Sequence, residues 1–240
     1  WFHAYSHLNS FNSALEAYKQ TGNEYYLDAT TKFYTWARET QKLATGGYGA
    51  QWEWLLPSDV LVEYLRTTER STETQCNAYA VVNMDNRLTS YTADAFYGQW
   101  TEEAFYNMTI ASLETRDGCP TYYSDYSSDG GTKFLRWDWP WACCAGTRPL
   151  VVMEYLKSIY FNDTRNLYVN LYTNAAVNFT NANGNEIKLS QNSAFPEETS
   201  VTFNVNTSEK EAFSICFRKP EWLAGEAALT INGEAATYEE

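Results

Sequence analysis

The sequence predicts a multidomain fold in which a helical region is followed by a β-rich region. Apolar residues recur at helical spacing up to about residue 160, and beyond residue 162 they alternate with a period of two. The chain has 240 residues, of which 44% are hydrophobic, and this is enough for a substantial core in one or two domains. We therefore expect a helical domain over 1–162 and the start of an antiparallel β-sandwich over 163–240.

Several apolar stripes in the first region each predict one helix. Phe11, Leu15 and Tyr18 share one helical face, and Gly22 follows where a helix would end. A second stripe, from Tyr26 to Ala37, predicts the next helix. Three more helices are predicted, one after a Thr72–Gln75 capping box, one over Thr101–Leu113, and one after Thr147 as a cap with Pro149 in the first turn.

The second region carries alternating strands separated by turn residues. The alternation is clearest at Leu167, Val169 and Leu171, where tyrosine and asparagine occupy the positions between. It repeats in three later segments, 201–205, 213–217 and 229–231. The pair Asn232-Gly233 predicts a tight hairpin turn.

Charge and composition narrow the class of partner. The formal net charge is -13, from 17 Lys and Arg against 30 Asp and Glu, and the sequence has no Lys/Arg-rich run. A nucleic-acid partner or an anionic membrane is therefore not expected, whereas an uncharged ligand is readily accommodated. No apolar run is long enough to span a bilayer, which again predicts no membrane partner. Self-association into a homo-oligomer stays open.

The chain start and the modification motifs leave the cellular compartment open. The sequence opens at Trp1 without a methionine or a basic-then-apolar leader, so we expect a cut through a longer protein whose targeting signal lies elsewhere. Four N-x-S/T sequons occur. A chain this rich in Asn and Thr contains about that many by chance, so they favour secretion only slightly.

The segment 141-WACCAGTRP-149 holds the first candidate for chemistry. Cys143 and Cys144 stand side by side just before a predicted helix N-terminus, where the helix dipole and free N–H groups stabilise a thiolate. A thiolate is both a nucleophile and a zinc ligand. The alternative is a pair of small buried residues beneath a Trp-rich loop, and the pattern alone does not choose between the two.

Glu73 and Cys76 are candidates for the rest of a metal site. They lie three residues apart at the start of a predicted helix, so both side chains can face one side. An acidic residue in a first turn usually serves only the helix dipole. Together with Cys143 and Cys144, however, the pair would supply three thiolates and one carboxylate, a donor set for tetrahedral zinc.

Three further sets of residues are candidates for a site. Glu53 lies between two tryptophans in 46-GGYGAQWEW-54, where an apolar setting would raise its pKa toward that of a general acid; an ordinary surface glutamate is the alternative.

His3 and His7 lack an H-E-x-x-H signature, so we expect them to hydrogen bond in the core or line a polar pocket. Aromatic residues crowd the approach to the cysteines and could stack on sugar faces, although core packing explains such residues more often: Tyr122, Tyr123, Tyr126, Trp137, Trp139 and Trp141.

The order of these motifs resembles a known enzyme family. A T-G-G-x-G loop followed by Glu53, then 73-ETQC-76, then 143-CCAGTR-148 ahead of a helix and a β-domain, is similar to the β-L-arabinofuranosidases of glycoside hydrolase family 127. The likeness runs from His3 to about Trp222. It implies a toroid of paired α-helices, here partial, followed by β-sandwich modules.

The resemblance also implies a function and roles for single residues. The expected activity is retaining hydrolysis of terminal arabinofuranosyl sugars on a glycan. A zinc ion would be held by four residues, Glu73, Cys76, Cys143 and Cys144. Cys143 would be the nucleophile and Glu53 the general acid/base. His7 and Asn9 would contact the sugar, and we add Tyr123 and Trp141 as aromatic contacts.

Three departures from the family pattern keep alternatives open, and one of them is the bulk of the residues around Glu53 in 51-QWEW-54. The more familiar spacing is E-x-C, whereas one more residue separates Glu73 from Cys76, which on a regular helix turns the thiol by about 100°. The predicted helices are also too few for a closed toroid. The alternatives are a carbohydrate-binding protein that has lost catalysis and a zinc site that only clamps a loop to a helix.

Overall fold

The computed structural model describes residues 2–50, 53–67, 72–116, 118–124, 134–135, 143–210 and 212–239. Its helices are α1 (Ala4–Thr21), α2 (Glu24–Thr40), α3 (Ser58–Thr67), α4 (Thr74–Thr92), α5 (Phe96–Glu103) and α6 (Cys143–Lys157), with a π-helical stretch at Ala104–Ile110. Short strands lie among the helices: β1 (Phe2–His3), β2 (Trp54–Leu55), β3 (Thr72–Glu73), β4 (Thr121–Ser124) and β5 (Phe134–Leu135). The later strands are β6 (Tyr160–Asn162), β7 (Asn166–Val169), β8 (Ala175–Thr180), β9 (Glu186–Ser193), β10 (Val201–Thr207), β11 (Ser214–Phe217), β12 (Leu229–Ile231) and β13 (Glu234–Ala236).

This order confirms the prediction of helices followed by strands. The closed arrangement of the helices into a toroid, the sandwich and the domain division at residue 162 stay predictions. Within the described residues, no helix combines the length and the apolar character needed to cross a membrane.

Helices α1 and α2 are consecutive and pack together, and their ends follow from capping chemistry. Gly22 adopts a φ of 66° and its N–H bonds the Tyr18 carbonyl, which ends α1 at the predicted point. The Asn23 side chain then accepts a hydrogen bond from the Tyr25 N–H and begins α2.

Helix α4 is the central helix of the first region. It packs against α1, α5 and α6, and most of its residues are buried. Its buried polar residues therefore have specific partners, as when the Asn77 amide donates to the Tyr48 carbonyl at 2.7 Å. The first turn of α4 brings Cys76 into the interior, where its side chain is fully buried.

The capping box predicted at the start of α4 is wrong. Thr72 lies in β3, and the cap position belongs to Glu73, whose side chain makes no capping hydrogen bond. The Gln75 amide turns to the Ser112 hydroxyl at 2.6 Å instead of back to the cap. The Glu73 carboxyl group is thereby left for other partners.

The last two predicted helices begin earlier than expected. Asp94 accepts a hydrogen bond from the Phe96 N–H at 2.9 Å, so α5 starts before Thr101, and the chain turns π-helical at Ala104. Helix α6 begins at Cys143, so Thr147 does not cap it. The Thr147 hydroxyl donates within the helix to the Cys143 carbonyl at 3.1 Å, and Pro149 lies inside the helix rather than in its first turn.

The second region contains small sheets rather than uniformly antiparallel strands. Strands β8, β9 and β10 are antiparallel neighbours, but β11 runs parallel to β7 in the sheet β11-β7-β6. Parallel pairing is possible because the chain travels through β8–β10 before it returns as β11. Asn232 and Gly233 have φ values of 53° and 88° and join β12 to β13, which confirms the predicted hairpin turn.

Polar side chains connect the two regions in what we call the junction network: Gln99, Glu102, Asn170, Arg218 and Trp222. Arg218 donates to Glu102 at 2.5 Å, to the Asn170 carbonyl at 2.6 Å and to Gln99 at 3.3 Å. The Trp222 indole N–H donates to the other Glu102 oxygen at 2.6 Å. Both charges of the buried ion pair are therefore compensated by hydrogen bonds.

Candidate metal centre and active site

Four side chains meet in what we call the thiol cluster: Glu73, Cys76, Cys143 and Cys144. Their potential ligand atoms all lie within 4.8 Å of one another. Cys143 Sγ is 3.0 Å from Glu73 Oε1, and Cys144 Sγ is 3.9 Å from Cys76 Sγ. In the part of the chain that the structure describes, every cysteine is a free thiol, so no disulfide engages these sulfur atoms.

A corner between β3 and α4 brings Glu73 and Cys76 together. Glu73 ends β3 with an extended backbone, at φ -68° and ψ 124°, and the helix begins at the next residue. The extra residue of the E-x-x-C spacing therefore does not turn the thiol away, because the pair does not lie on one regular helix. Both side chains reach the cluster.

Helix α6 supplies the other two thiols and a contact that sequence analysis missed. Thr147 lies one helical turn after Cys143, and its hydroxyl is 3.1 Å from Cys76 Sγ. A second missed contact joins the Tyr122 hydroxyl to Cys143 Sγ at 3.0 Å. Helical spacing from Cys143 could have indicated Thr147, whereas the Tyr122 contact depends on where β4 lies.

The thiol cluster brings one carboxyl group and three thiols so close together that they do not all ionise without a cation. Burial raises the pKa of Glu73 to about 9, with the Glu53 charge as the next cause. Hydrogen bonds from the Cys144 and Cys76 thiols lower the pKa of Cys143. Burial raises the pKa of Cys144, and hydrogen bonding to Cys143 raises that of Cys76. These opposite directions set the Cys143 thiol apart from the other two.

These residues fit a zinc ion. Glu73 Oε2 is buried and has no hydrogen-bond partner among the described residues, which is uncommon for a carboxyl oxygen. Thiolates with one carboxylate form a donor set that zinc accepts, and a divalent cation would take the place of the protons that the cluster otherwise holds.

Glu53 lies next to this cluster in a constrained backbone. It is 8% exposed and has a φ of 75°, which a residue with a side chain rarely adopts. His3 Nε2 is 2.6 Å from Glu53 Oε2, and Glu53 Oε1 has no partner among the described residues. The ligand atoms of His3, Glu53 and Glu73 lie within 4.8 Å of one another, so Glu73 joins the two groups.

The residues predicted to contact the sugar have different surroundings. Tyr123 is buried, pairs with Glu73 across β3 and β4, and packs against Tyr122 at 4.5 Å between ring centroids. His7 stacks on Phe2 at 4.4 Å and lies edge-on to two other phenylalanines. Asn9 accepts a hydrogen bond from the Asn12 amide at 3.0 Å. Trp141 lies outside the described residues, and none of these contacts tests a sugar-binding role.

Two family models match the chain. Residues 2–155 match the model described as "Beta-L-arabinofuranosidase, GH127 catalytic domain". Residues 166–240 match the model described as "Beta-L-arabinofuranosidase, GH127 middle domain". No curated protein matches the sequence significantly.

Solved structures share this fold at low sequence identity. A GH127 β-L-arabinofuranosidase from Geobacillus stearothermophilus T6 is 21% identical, with a TM-score of 0.81 over 98% of this chain and 38% of its own. A GH127 β-arabinofuranosidase is 20% identical, with a TM-score of 0.82 over 99% of this chain and 39% of its own. A protein named only as a glycoside hydrolase is 21% identical, with a TM-score of 0.78 over 99% of this chain and 43% of its own. The chain thus spans about two fifths of the length of these structures.

Proposed function

The chain belongs to the GH127 β-L-arabinofuranosidase family, and we propose on this basis that it carries the catalytic centre of a retaining glycosidase. The proposed substrate is a glycan with terminal arabinofuranosyl sugars. Zinc is the proposed cofactor, Cys143 the nucleophile and Glu53 the general acid/base. His7, Asn9, Tyr123 and Trp141 are proposed to contact the sugar.

The single observation that carries this proposal is the difference between Cys143 and the other two thiols of the cluster. Cys143 is partly exposed, whereas Cys76 and Cys144 are buried. Its sulfur is also the one whose pKa is lowered. An accessible thiolate can act as the nucleophile at a sugar carbon, and the neighbouring Glu53 carboxyl group can supply the proton that the departing oxygen needs.

The residues would divide the reaction into two steps. In the first, Cys143 Sγ forms a bond to the anomeric carbon while the glycosidic C–O bond breaks, and Glu53 donates a proton to the departing oxygen. In the second, a water molecule attacks the same carbon, Glu53 accepts its proton, and the C–S bond breaks to restore the thiolate. Two inversions at one carbon give net retention.

Glu73, Cys76, Cys143 and Cys144 would hold the zinc ion, which when bound keeps the thiols deprotonated and offsets part of their negative charge. Tyr122 would donate its hydroxyl proton toward Cys143 Sγ, since the two atoms are 3.0 Å apart. Thr147 would orient the Cys76 thiolate by turning its one hydroxyl proton from the Cys143 carbonyl to that sulfur, which lies 3.1 Å from the hydroxyl oxygen.

A structural zinc site is the second candidate, because one observation favours it. All four proposed ligands come from the protein, and a closed four-ligand set is usual for structural zinc. A zinc site that is only structural would give the neighbouring Glu53 no role.

The test is hydrolysis of an aryl β-L-arabinofuranoside by the zinc-loaded full-length protein and its variants. Cys143→Ser is expected to lower turnover by about 10³-fold or more, because the hydroxyl is not ionised at neutral pH. In Glu53→Gln, a substrate with a good leaving group should accumulate a pentosyl adduct on the peptide that contains Cys143, detectable by mass spectrometry. Cys216→Ala, which changes an exposed thiol, is the matched control.

Three results would contradict the catalytic proposal. Unchanged hydrolysis in Cys143→Ser would exclude this sulfur as the nucleophile. Stoichiometric zinc with no hydrolysis by the wild-type protein would favour the structural site, and sugar binding without turnover would favour a carbohydrate-binding protein.

A further inference from the structure

We propose that His3 is a positioning residue for Glu53, and that the start of helix α1 selects the tautomer of His3 that makes this possible. The proposal rests on the proposed function, because it assigns His3 a part in proton transfer by Glu53. It is carried by the hydrogen bonds that the two ring nitrogens of His3 make.

The first ring nitrogen is used by the helix. His3 is the cap residue of α1, with an extended backbone at φ -62° and ψ 120°, and its Nδ1 accepts a hydrogen bond from the Ser6 N–H at 3.3 Å. A nitrogen that accepts from a backbone N–H carries no proton of its own. In the neutral ring the proton is therefore on Nε2.

The second ring nitrogen is used by the acid. With its proton on Nε2, His3 donates to Glu53 Oε2, which lies 2.6 Å away. The same bond leaves the other carboxyl oxygen, Oε1, buried and without a partner among the described residues. Oε1 is then the oxygen left to exchange a proton with the sugar, and the imidazole holds the carboxyl group in one orientation.

The backbone reinforces this pairing. Strand β1 pairs with β2 so that His3 lies opposite Trp54, and the Ala4 N–H donates to the Glu53 carbonyl at 2.6 Å. Gly49 allows this approach, because a Cβ at that position would come within 2.9 Å of the Ala4 Cβ. The backbone bond from Ala4 and the side-chain bond from His3 thus both hold Glu53 in place.

An ordinary helix cap is the competing explanation, and two amide variants separate it from positioning. In His3→Asn, the side-chain oxygen can take over the Nδ1 contact and retain the cap, but the side chain is too short to reach Glu53. In His3→Gln, the amide N–H can replace the Nε2 donor, but the cap is lost. A cap alone predicts that His3→Gln is the more damaging change for both stability and activity.

The experiment compares two substrates in the zinc-loaded full-length protein, a methyl and a 2,4-dinitrophenyl β-L-arabinofuranoside. The methyl leaving group needs a proton from Glu53, whereas dinitrophenolate leaves without one. In His3→Asn, kcat/KM is expected to fall by about 10- to 100-fold for the methyl glycoside and by less than about threefold for the dinitrophenyl glycoside. His3→Gln should recover most of the methyl glycoside activity while its Tm falls by about 2–4 °C.

A second measurement is independent of turnover. The ¹⁵N spectrum of histidine-labelled protein should show His3 with its proton on Nε2, assigned by the signal that His3→Asn removes. A proton on Nδ1 would overturn the proposal, and so would equal losses for both substrates in His3→Asn or no recovery in His3→Gln. If the wild-type protein hydrolyses neither substrate, the proposed function fails, and the role of His3 in that reaction fails with it.

Discussion

Two buried polar regions of this molecule each contain a glutamate but balance its charge differently. In the junction network, both oxygens of Glu102 accept hydrogen bonds, one from Arg218 and the other from Trp222. In the thiol cluster, Glu73 has acidic thiols at one oxygen and no partner at the other among the described residues. The first region is complete without a ligand, whereas the second concentrates groups that carry negative charge when ionised.

This difference separates a polar site that is complete as it stands from a candidate metal site. A buried carboxylate with an arginine and an indole N–H has recovered the hydrogen bonds that it loses on leaving water. A buried carboxyl group beside three thiols has not, and a cation would satisfy it. The balance of charge, rather than the presence of buried acids, is what indicates a metal site.

The largest expected effect on stability is at the junction network. Arg218→Met removes one partner of a buried ion pair and should lower the free energy of unfolding by about 3–5 kcal/mol, because Glu102 loses its counter-ion and keeps only the hydrogen bond from Trp222. Urea unfolding measures the loss, and zinc content should not change. Arg165→Met changes an exposed arginine and is the control. Loss of zinc in Arg218→Met would show that the two regions are not independent.

Asp85 is a third buried carboxyl group, and its hydrogen bonding is intermediate between that of Glu102 and that of Glu73. Thr101 donates to one of its oxygens at 2.7 Å, and the other has no partner among the described residues. Because no thiols adjoin it, a proton rather than a metal ion relieves the cost of burial, and burial raises its pKa from 3.8 to about 7.

Asp85→Asn is therefore expected to show a pH-dependent gain in stability. The folded protein binds the Asp85 proton more tightly than the unfolded chain, so this contribution is complete below pH 3.8 and is lost as the pH rises through about 7. The advantage of the variant over wild type should grow between those values and level off at no more than about 4 kcal/mol. Urea unfolding at several pH values measures it, and a constant difference would contradict the raised pKa.

Removal of zinc should produce a smaller effect that is confined to the thiol cluster. Zinc at about one hundred times its dissociation constant should raise the free energy of unfolding by about 2.7 kcal/mol, which a chelator would remove. Thermal unfolding with and without chelator measures this difference. The double change of Cys143 and Cys144 to alanine should abolish it, while Cys119→Ala should preserve it. A chelator effect that survives the double change would place the metal elsewhere.

The residue types of the site could be predicted from the sequence, but their proximity in the folded protein could not. The three cysteines and the glutamate suggested a zinc donor set, although the two halves of the set lie about seventy residues apart and only the fold joins them. The E-x-x-C spacing predicted that the Cys76 thiol turns away from Glu73, but this holds only if both residues lie on one regular helix. The corner after β3 depends on pairing with β4, a contact that no local pattern indicates.

Local chemistry decided which fold predictions held. Gly22 ended α1 and Asn232-Gly233 formed a hairpin, because each turn is determined by its own residues. Helix α5 begins before the predicted Thr101, and the Asp94 side chain accepts a hydrogen bond from the Phe96 N–H at this start. His3 could not be paired with Glu53 from the sequence, since their contact follows from the register of β1 against β2.

X-ray absorption at the zinc edge tests the central claim most directly, because it reports the atoms that surround the metal. In the zinc-loaded full-length protein, the claim that the thiol cluster is a metal centre predicts three sulfur neighbours at about 2.3 Å and one oxygen at about 2.0–2.2 Å. Cys144→Ala should reduce the sulfur number to two. A shell made only of nitrogen and oxygen, or one unchanged in Cys144→Ala, would contradict it.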